Sequence, residues 1–406
     1  MPGEDDVCLG RSVPRPARVD VMTVDITLFG ATGFTGTLTA VYLGTHLPEG
    51  GTWAVAGRSA AKLQNVVDEV EAAGGTAPEI VLADVSDAAS MRAMAEGTRV
   101  LISTVGPYVQ HGDSAVRAAA EAGIAYVDLT GEPEFVDRTW LEHQETALRT
   151  GATLVHACGF DSIPYDLGVL YTVEQLPEGV PIDVKGYIRA GGTASGGTYH
   201  SAIGAFSRLR QSAATAKERK QREQRPQGRS VRGGGSIGRG AGGKGWALPL
   251  PTIDPQVVLR SARALERYGP QFTYSHFAQF KKLPVLAGTV VGAGVLLAGS
   301  QLAPTRKALL KLRAQGDGPS PEKRASSWFS LRLVGEGGGK RVVTQVSGGD
   351  PGYDETAKML SESALCLAFD DVPKVAGQTT TAVAMGRPLI ERLQAAGIRF
   401  ETLETA

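Results

Sequence analysis

The chain has 406 residues, with 42 basic side chains against 42 acidic ones and a hydrophobic fraction of 42%. That length accommodates two or three domains with cores of their own, and the even charge balance removes a global attraction to nucleic acid. The three cysteines, Cys8, Cys158 and Cys366, stand far apart, which argues against a disulfide framework or a Cys-rich metal site and suits a reducing cytoplasm.

Residues 1–21 carry charges and prolines but no apolar run, so they read as a disordered tail and not as a signal peptide. Met22 stands just before the first predicted strand, which leaves Met1 and Met22 both open as the true start. From there short apolar runs alternate with amphipathic stretches. The runs predict strands at Val24–Phe29, Thr52–Ala56, Ile80–Ala83, Val100–Ser103, Tyr126–Asp128 and Thr153–His156. Helices are predicted at Thr35–His46, Ala60–Ala73, Ala88–Ala95, Ser114–Ala122 and Leu141–Arg149. Such alternation makes an α/β fold with a doubly wound parallel sheet, a Rossmann domain over residues 22–160.

Beyond Cys158 the rhythm changes. A helix starts near Pro164 with Asp161 or Ser162 as its cap, followed by a strand at Pro181–Ala190 and a glycine-rich turn at Gly191–Gly197. Ser201–Gln224 reads as one helix and Arg225–Gly245 as a mobile surface loop. Strands at Phe272–Phe280, Ser327–Val334 and Arg341–Ser347, the last two joined by Gly337-Gly338-Gly339, predict a second α+β domain over 161–350 on a mainly antiparallel sheet. Residues 351–406 read as C-terminal helices, Tyr353–Phe369 and Pro388–Ala396, that pack back on the body. Gly397 is the expected cap of the second.

One stretch stands apart from this soluble pattern. Residues 283–303 carry no charge and are flanked by Lys281, Lys282, Arg306 and Lys307. Their length is just enough to cross a bilayer, but several glycines lower their hydrophobicity. Three readings stay open: a buried helix or hairpin, a segment dipping into lipid, and a true span.

The first predicted strand runs directly into Gly30-Ala31-Thr32-Gly33-Phe34-Thr35-Gly36 and then into a helix. In such a turn the first glycine allows the tight bend and the second lets the backbone approach a pyrophosphate. The third lets helix and sheet pack closely, and the free N–H groups of the helix start hold the phosphates. The second strand ends in Arg58-Ser59, where an acidic residue would favour NAD. A guanidinium there grips a 2′-phosphate, so the expected cofactor is NADPH, with Ser59 also the N-cap of the next helix. Asp84 after the third strand should flank the adenine. Val105-Gly106-Pro107 after the fourth should run beneath the nicotinamide ribose.

These residues and several later blocks resemble the saccharopine-dehydrogenase-like oxidoreductases, and within them the trans-acting enoyl reductases of actinobacterial lipid synthesis. The likeness covers 30–36, 56–59, 105–112 (VGPYVQHG), 128–132 (DLTGE), 158–164 (CGFDSIP), 191–199 and 349–360 (GDPGYDETAKML). It implies a nicotinamide cofactor and reduction of an enoyl double bond on an acyl chain presented by the carrier domain of a polyketide synthase. An alternative within the resemblance is oxidoreduction at a C–N or C–O bond of a small metabolite. A further alternative is a non-catalytic, membrane-associated scaffold that keeps NADP as a structural ligand.

Enoyl reduction needs a hydrogen-bond donor at the carbonyl oxygen and a proton for the α-carbon. Tyr108 and Ser162 lie where a doubly wound sheet exposes its active site, so they are the catalytic candidates. Tyr199 and His200 follow the glycine-rich turn, while His111 and His156 have no spacing for a metal. Asp161 either orients Ser162 or caps the helix. The basic run 217–225 with Arg229, Arg232 and Arg239 reads either as a solvated helix face or as a docking patch for an acidic carrier domain. Residues 283–303 offer peripheral contact with a membrane.

Overall fold

Six short apolar runs form strands β1 (Val24–Phe29), β2 (Trp53–Gly57), β3 (Glu79–Leu82), β4 (Thr98–Ser103), β5 (Ala125–Asp128) and β6 (Thr153–Val155) in a computed structural model that describes residues 23–191, 196–224, 226–311 and 318–406. The predicted tail with Met22, part of the glycine-rich turn (192–195), Arg225 and the His200 side chain lie outside the described residues. The six strands are all parallel, and β2 is buried at every residue because helices cover both faces. The edge strand β3 is largely exposed.

The chain then builds β7 (Ile182–Gly191), β8 (Ser230–Gly234), β9 (Gly238–Arg239), β10 (Trp246–Pro249), β11 (Gln271–Phe280), β12 (Trp328–Gly337) and β13 (Lys340–Gly348). It ends with β14 (Gly377–Thr379) and β15 (Arg399–Thr405). The first sheet runs β14-β6-β5-β4-β1-β2-β3, and the second runs β15-β13-β12-β7-β11-β10-β9 with β8 beside β11. In the second sheet β11 is parallel to β7 and β8, and every other pair is antiparallel.

The helix Ile163–Val173 joins the two sheets. It is buried along almost its whole length, and a Cβ on Gly168 would come within 2.7 Å of Leu333, so only glycine lets it lie this close to β12. Leu331, Leu333 and Val346 are fully buried beneath it, each worth about 1.5–3 kcal/mol of apolar burial.

Several predicted elements need correction. The helix expected at 141–149 begins earlier, at Pro133, because Glu132 and Pro133 supply an N-cap position and a proline first turn. The single helix expected at 201–224 is two, Gly196–Ser207 and Leu209–Arg222, broken at Arg208, whose guanidinium binds Glu134. The expected loop 225–245 carries β8 and β9, and Gly233 of β8 packs closely against Leu259. The C-terminal region is not helical throughout, since β14 adds a seventh strand to the first sheet and β15 an edge to the second. Residues 283–301 form one helix, Leu283–Gln301, which buries only Leu286 and Ser300 and so is not a core helix.

Candidate active site

At the end of β1 the backbone turns through Gly30 at φ +89°, a conformation that favours glycine. A Cβ there would also lie 2.7 Å from Val105 and 2.8 Å from the Thr104 hydroxyl. A Cβ on Gly36 would collide with the Gly30 carbonyl oxygen, so helix Phe34–His46 lies tight on the turn. Gly33 is different: its Cβ would meet nothing nearer than Gly30 O at 3.5 Å, and it is exposed. The open face at Gly33, beside N–H groups with no partner inside the helix, is the cradle a pyrophosphate requires. A dinucleotide therefore fits this turn.

The other predicted cofactor residues surround it. Thr32 is exposed and Thr35 half-buried, while the Phe34 ring is caged by Tyr353 at 4.8 Å, Arg324 at 5.6 Å and the backbone of Gly318. Phe34 thus contributes its main chain to the turn and its ring to packing. Arg58 is exposed at the end of β2, and Ser59 Oγ accepts from the Lys62 N–H as N-cap of the next helix. Asp84 accepts from the Ser86 N–H and hydroxyl. These bonds, more than the nearby Arg58, hold its carboxyl below the usual range against a small effect of burial. Val105, Gly106 and Pro107 are half-buried after β4, with a cis Gly106–Pro107 bond.

Of the two catalytic candidates, Tyr108 is already engaged. Its buried hydroxyl donates to Ser103 O at 2.9 Å and accepts from Leu129 N–H at 3.1 Å, so it braces the ends of β4 and β5 and is not a free donor. Ser162 is fully buried and its Oγ makes no hydrogen bond, so it does not cap the helix through its side chain. Tyr199 donates to Leu309 O, and His111 is exposed.

The DLTGE and CGFDSIP blocks knit the neighbouring strand ends together. The fully buried Asp128 carboxylate accepts from Thr130 N–H, Ala157 N–H and the Tyr126 hydroxyl, and binds His156 Nδ1 at 2.7 Å. Glu132 receives the N–H groups of Tyr108 and Val109 at 3.1 and 2.8 Å, fixing the loop after β4. Composition did not reveal these roles, because the backbone that ties the strand ends together, Ala157 for Asp128 and Tyr108 and Val109 for Glu132, lies far away in sequence.

Sequence reasoning missed a second group across from this edge. Asp254, in the first turn of helix Asp254–Ala264, and His276 on β11 are both buried, with Asp254 Oδ1 and His276 Nε2 unbonded. His276 Nδ1 meets the Tyr274 hydroxyl at 3.1 Å, and its ring packs 4.6 Å from Tyr165. Burial pushes the His276 imidazole down to about 4, so it is neutral at pH 7. Burial, followed by the charge of Asp161, holds the Asp254 carboxyl well above its usual value. Neither residue belongs to a spacing pattern.

A cavity of about 380 Å³ lies beside His156, lined by Val136, Arg219, Arg260, Gln378 and Thr380 among others. Part of the basic run turns inward here: Arg219 is buried and paired with Asp137 and Glu223. Arg229 is held by four backbone carbonyls. Lys217 and Lys220 remain exposed.

Comparison with known proteins agrees with this geometry. Residues 26–155 match the saccharopine dehydrogenase NADP binding domain. A Mycobacterium tuberculosis protein provisionally named as a trans-acting enoyl reductase is 33% identical over 94% of this chain and 98% of its own length. A saccharopine dehydrogenase-like oxidoreductase of Bos taurus is 27% identical over 94% of this chain and 97% of its own. Among solved structures, the apo saccharopine dehydrogenase (L-Glu forming) of Saccharomyces cerevisiae aligns with a TM-score of 0.56 at 12% identity. That alignment covers 94% of this chain and 100% of the yeast one, a likeness of fold.

Proposed function

The chain belongs to the saccharopine-dehydrogenase-like oxidoreductases and is an NADP-dependent enzyme; we propose that it reduces an enoyl acyl chain in trans for a polyketide synthase. Relatives named for that reaction, similar along nearly the whole chain, suggest the reading. The observation that carries it is the chemistry opposite the cofactor edge. No basic side chain offsets the burial of Asp161 or Asp254 among the described residues. An amino-acid substrate would bring further carboxylates against these two buried acids, whereas a neutral acyl chain brings none.

NADPH, when bound, supplies the reducing equivalent at its nicotinamide ring. The chain does the rest. First-turn N–H groups beside Gly33 hold the pyrophosphate, Arg58 meets the 2′-phosphate, and Glu132 with Tyr108 holds the 105–107 loop in place. The acyl chain is delivered by an acidic carrier domain, for which exposed Lys217 and Lys220 offer complementary charge. We also assign helix Leu283–Gln301 to the membrane surface on the cytoplasmic side. Val291 and Val295 are 66% and 65% exposed, and the helix is about 28 Å long at 1.5 Å per residue.

The test is oxidation of NADPH by the purified protein with a 2-enoyl pantetheine thioester, followed at 340 nm. Turnover of that thioester is expected, and saccharopine offered with NADP+ should give no rise at 340 nm. Oxidation supported only by an imine or keto metabolite would defeat the enoyl reading.

A further inference from the structure

The loop after β6 brings a carboxyl to the cofactor edge with no described group bonded to it. Asp161 is half-buried, and a Cβ on Gly131 would lie 2.9 Å from its Oδ2, so the carboxyl crosses the turn that follows β5. Gly131 precedes Glu132, whose carboxylate grips the N–H groups of Tyr108 and Val109 directly after Gly106–Pro107. Asp161 is thereby two short links from the loop over which a doubly wound sheet places the nicotinamide.

Behind Asp161 lie polar atoms that the protein leaves unsatisfied. Ser162 Oγ, Asp254 Oδ1 and His276 Nε2 are all buried without a partner. Native proteins rarely leave such groups orphaned, and where they do, a ligand, a proton path or ordered water is the usual reason. Asp254 Oδ2 stands 3.9 Å from His276 Nε2, too far for a direct hydrogen bond and close enough for water to bridge.

We propose that Asp161 is the acid that protonates the α-carbon of the reduced acyl chain, with Asp254 and His276 as the path that reloads it. The assignment rests on the enoyl reading above. Reduction adds two hydrogens across the double bond, and the one at the β-carbon arrives with the electron pair from the nicotinamide. The π pair of the double bond then resides on the α-carbon and carbonyl. It forms the new C–H bond as the Asp161 O–H bond breaks, and the carboxylate left behind regains a proton from water through Asp254. One NADPH and one proton are consumed.

Electrostatics agree with that role. Burial pushes the Asp161 carboxyl up to about 6, so a useful fraction is protonated near neutrality. Among the described residues, the titratable groups facing it are Tyr165 from helix Ile163–Val173 and Asp254 from helix Asp254–Ala264, with His276 of β11 behind. Glu132 on the β5 side is turned toward the backbone of Tyr108.

The test is Asp161→Asn, compared with wild type in NADPH binding, enoyl thioester turnover and carboxyl titration. NADPH affinity should stay within twofold while kcat falls at least 100-fold. The falling limb above about pH 6 should vanish from its profile. In D2O, wild type should place deuterium on one face of the α-carbon and the variant on both. In the cofactor-free protein labelled with 13C at aspartate carboxyls, one resonance with a midpoint near 6 should disappear in the variant and shift in wild type on addition of a saturated acyl thioester. Asp161→Glu, which keeps the acid, should restore the pH limb even if Asp161→Asn fails to fold. A kcat within threefold of wild type in Asp161→Asn, or a 13C titration that the substitution leaves unchanged, overturns the role of Asp161 and leaves the enoyl reading standing. A wild-type protein inert toward enoyl thioesters overturns both.

Discussion

The site's two walls are built from different materials. At the end of β1 the functional groups belong to the main chain: a left-handed Gly30, an uncovered Gly33 and the first N–H groups of a helix. On helix Asp254–Ala264 and β11 the candidates are side chains, Asp254 and His276, with buried atoms that meet no partner. A backbone site is broken by adding a Cβ and is indifferent to many neighbouring side chains. The side-chain wall is broken by changing one polar atom. The contrast explains why one wall specifies a cofactor shared by a large family and the other is where a substrate class would be set.

The largest effect expected from this contrast is at Gly33. Gly33→Val should leave a folded protein, because a Cβ has room, yet weaken NADPH more than 100-fold by occupying the phosphate's place. Gly36→Val, three residues on, should do the reverse in kind, costing about 1–3 kcal/mol of stability through a collision with Gly30 O. Isothermal titration and thermal unfolding of the pair separate the two roles. Unchanged NADPH binding in Gly33→Val would remove the cofactor from this turn.

Next in size is Arg58, the exposed side chain at the end of β2. Arg58→Ala should weaken NADPH by about 1–3 kcal/mol, the worth of a charge-assisted bond, and leave NADH unchanged. Equal losses for both cofactors would place Arg58 away from the 2′-phosphate.

The side-chain wall can be probed through folding alone. The Asp161 carboxyl is raised from 3.8 to about 6 in the folded state, so the folded protein binds its proton more tightly than the unfolded chain. Its contribution to stability is therefore full below about pH 4 and is lost as pH rises through about 6. Asp161→Asn removes that loss. It should match wild type at pH 4 and exceed it by about 1–2 kcal/mol at pH 7, the full linkage being discounted for partial exposure. Urea denaturation at the two pH values measures this, and a variant less stable than wild type at pH 7 would show that burial does not strain the carboxyl.

The difference between the walls also decided what could be read before the structure. The glycine turn and the six strands were legible because tight turns and parallel strands impose residue types at fixed spacings. Strand β14 was not: three residues, Gly377–Thr379, carry no periodicity, and only the exposed edge of β6 recruits them. Tyr108 looked catalytic because position along the sheet was visible, but the bonds that occupy its hydroxyl come from Ser103 and Leu129 in three dimensions. Asp254 and His276 stand 22 positions apart, and nothing local marks a carboxyl that will be buried without a partner. Absence of a partner has no sequence signature.

The smallest expected effect concerns helix Leu283–Gln301, which belongs to neither wall. An apolar helix with Val291 66% exposed costs hydrophobic free energy unless something covers it. Lys281 and Lys282 precede it and Arg306 and Lys307 follow it, a placement that would suit anionic headgroups at an interface. A span is disfavoured because the chain on both sides of the helix enters the same sheet, β11 before it and β12 after it, each paired to β7. A bilayer crossing between them would have to separate strands that share a neighbour. The apolar face then supplies most of the affinity and each lysine about 1 kcal/mol, screened by salt. Lys281→Ala should accordingly weaken binding to vesicles containing anionic lipid about fivefold at low salt, and hardly at all to neutral vesicles. Co-sedimentation with the two vesicle types checks this. A wild-type protein that ignores both would assign the exposed valines to a protein partner instead, and one that resists carbonate extraction would restore the span.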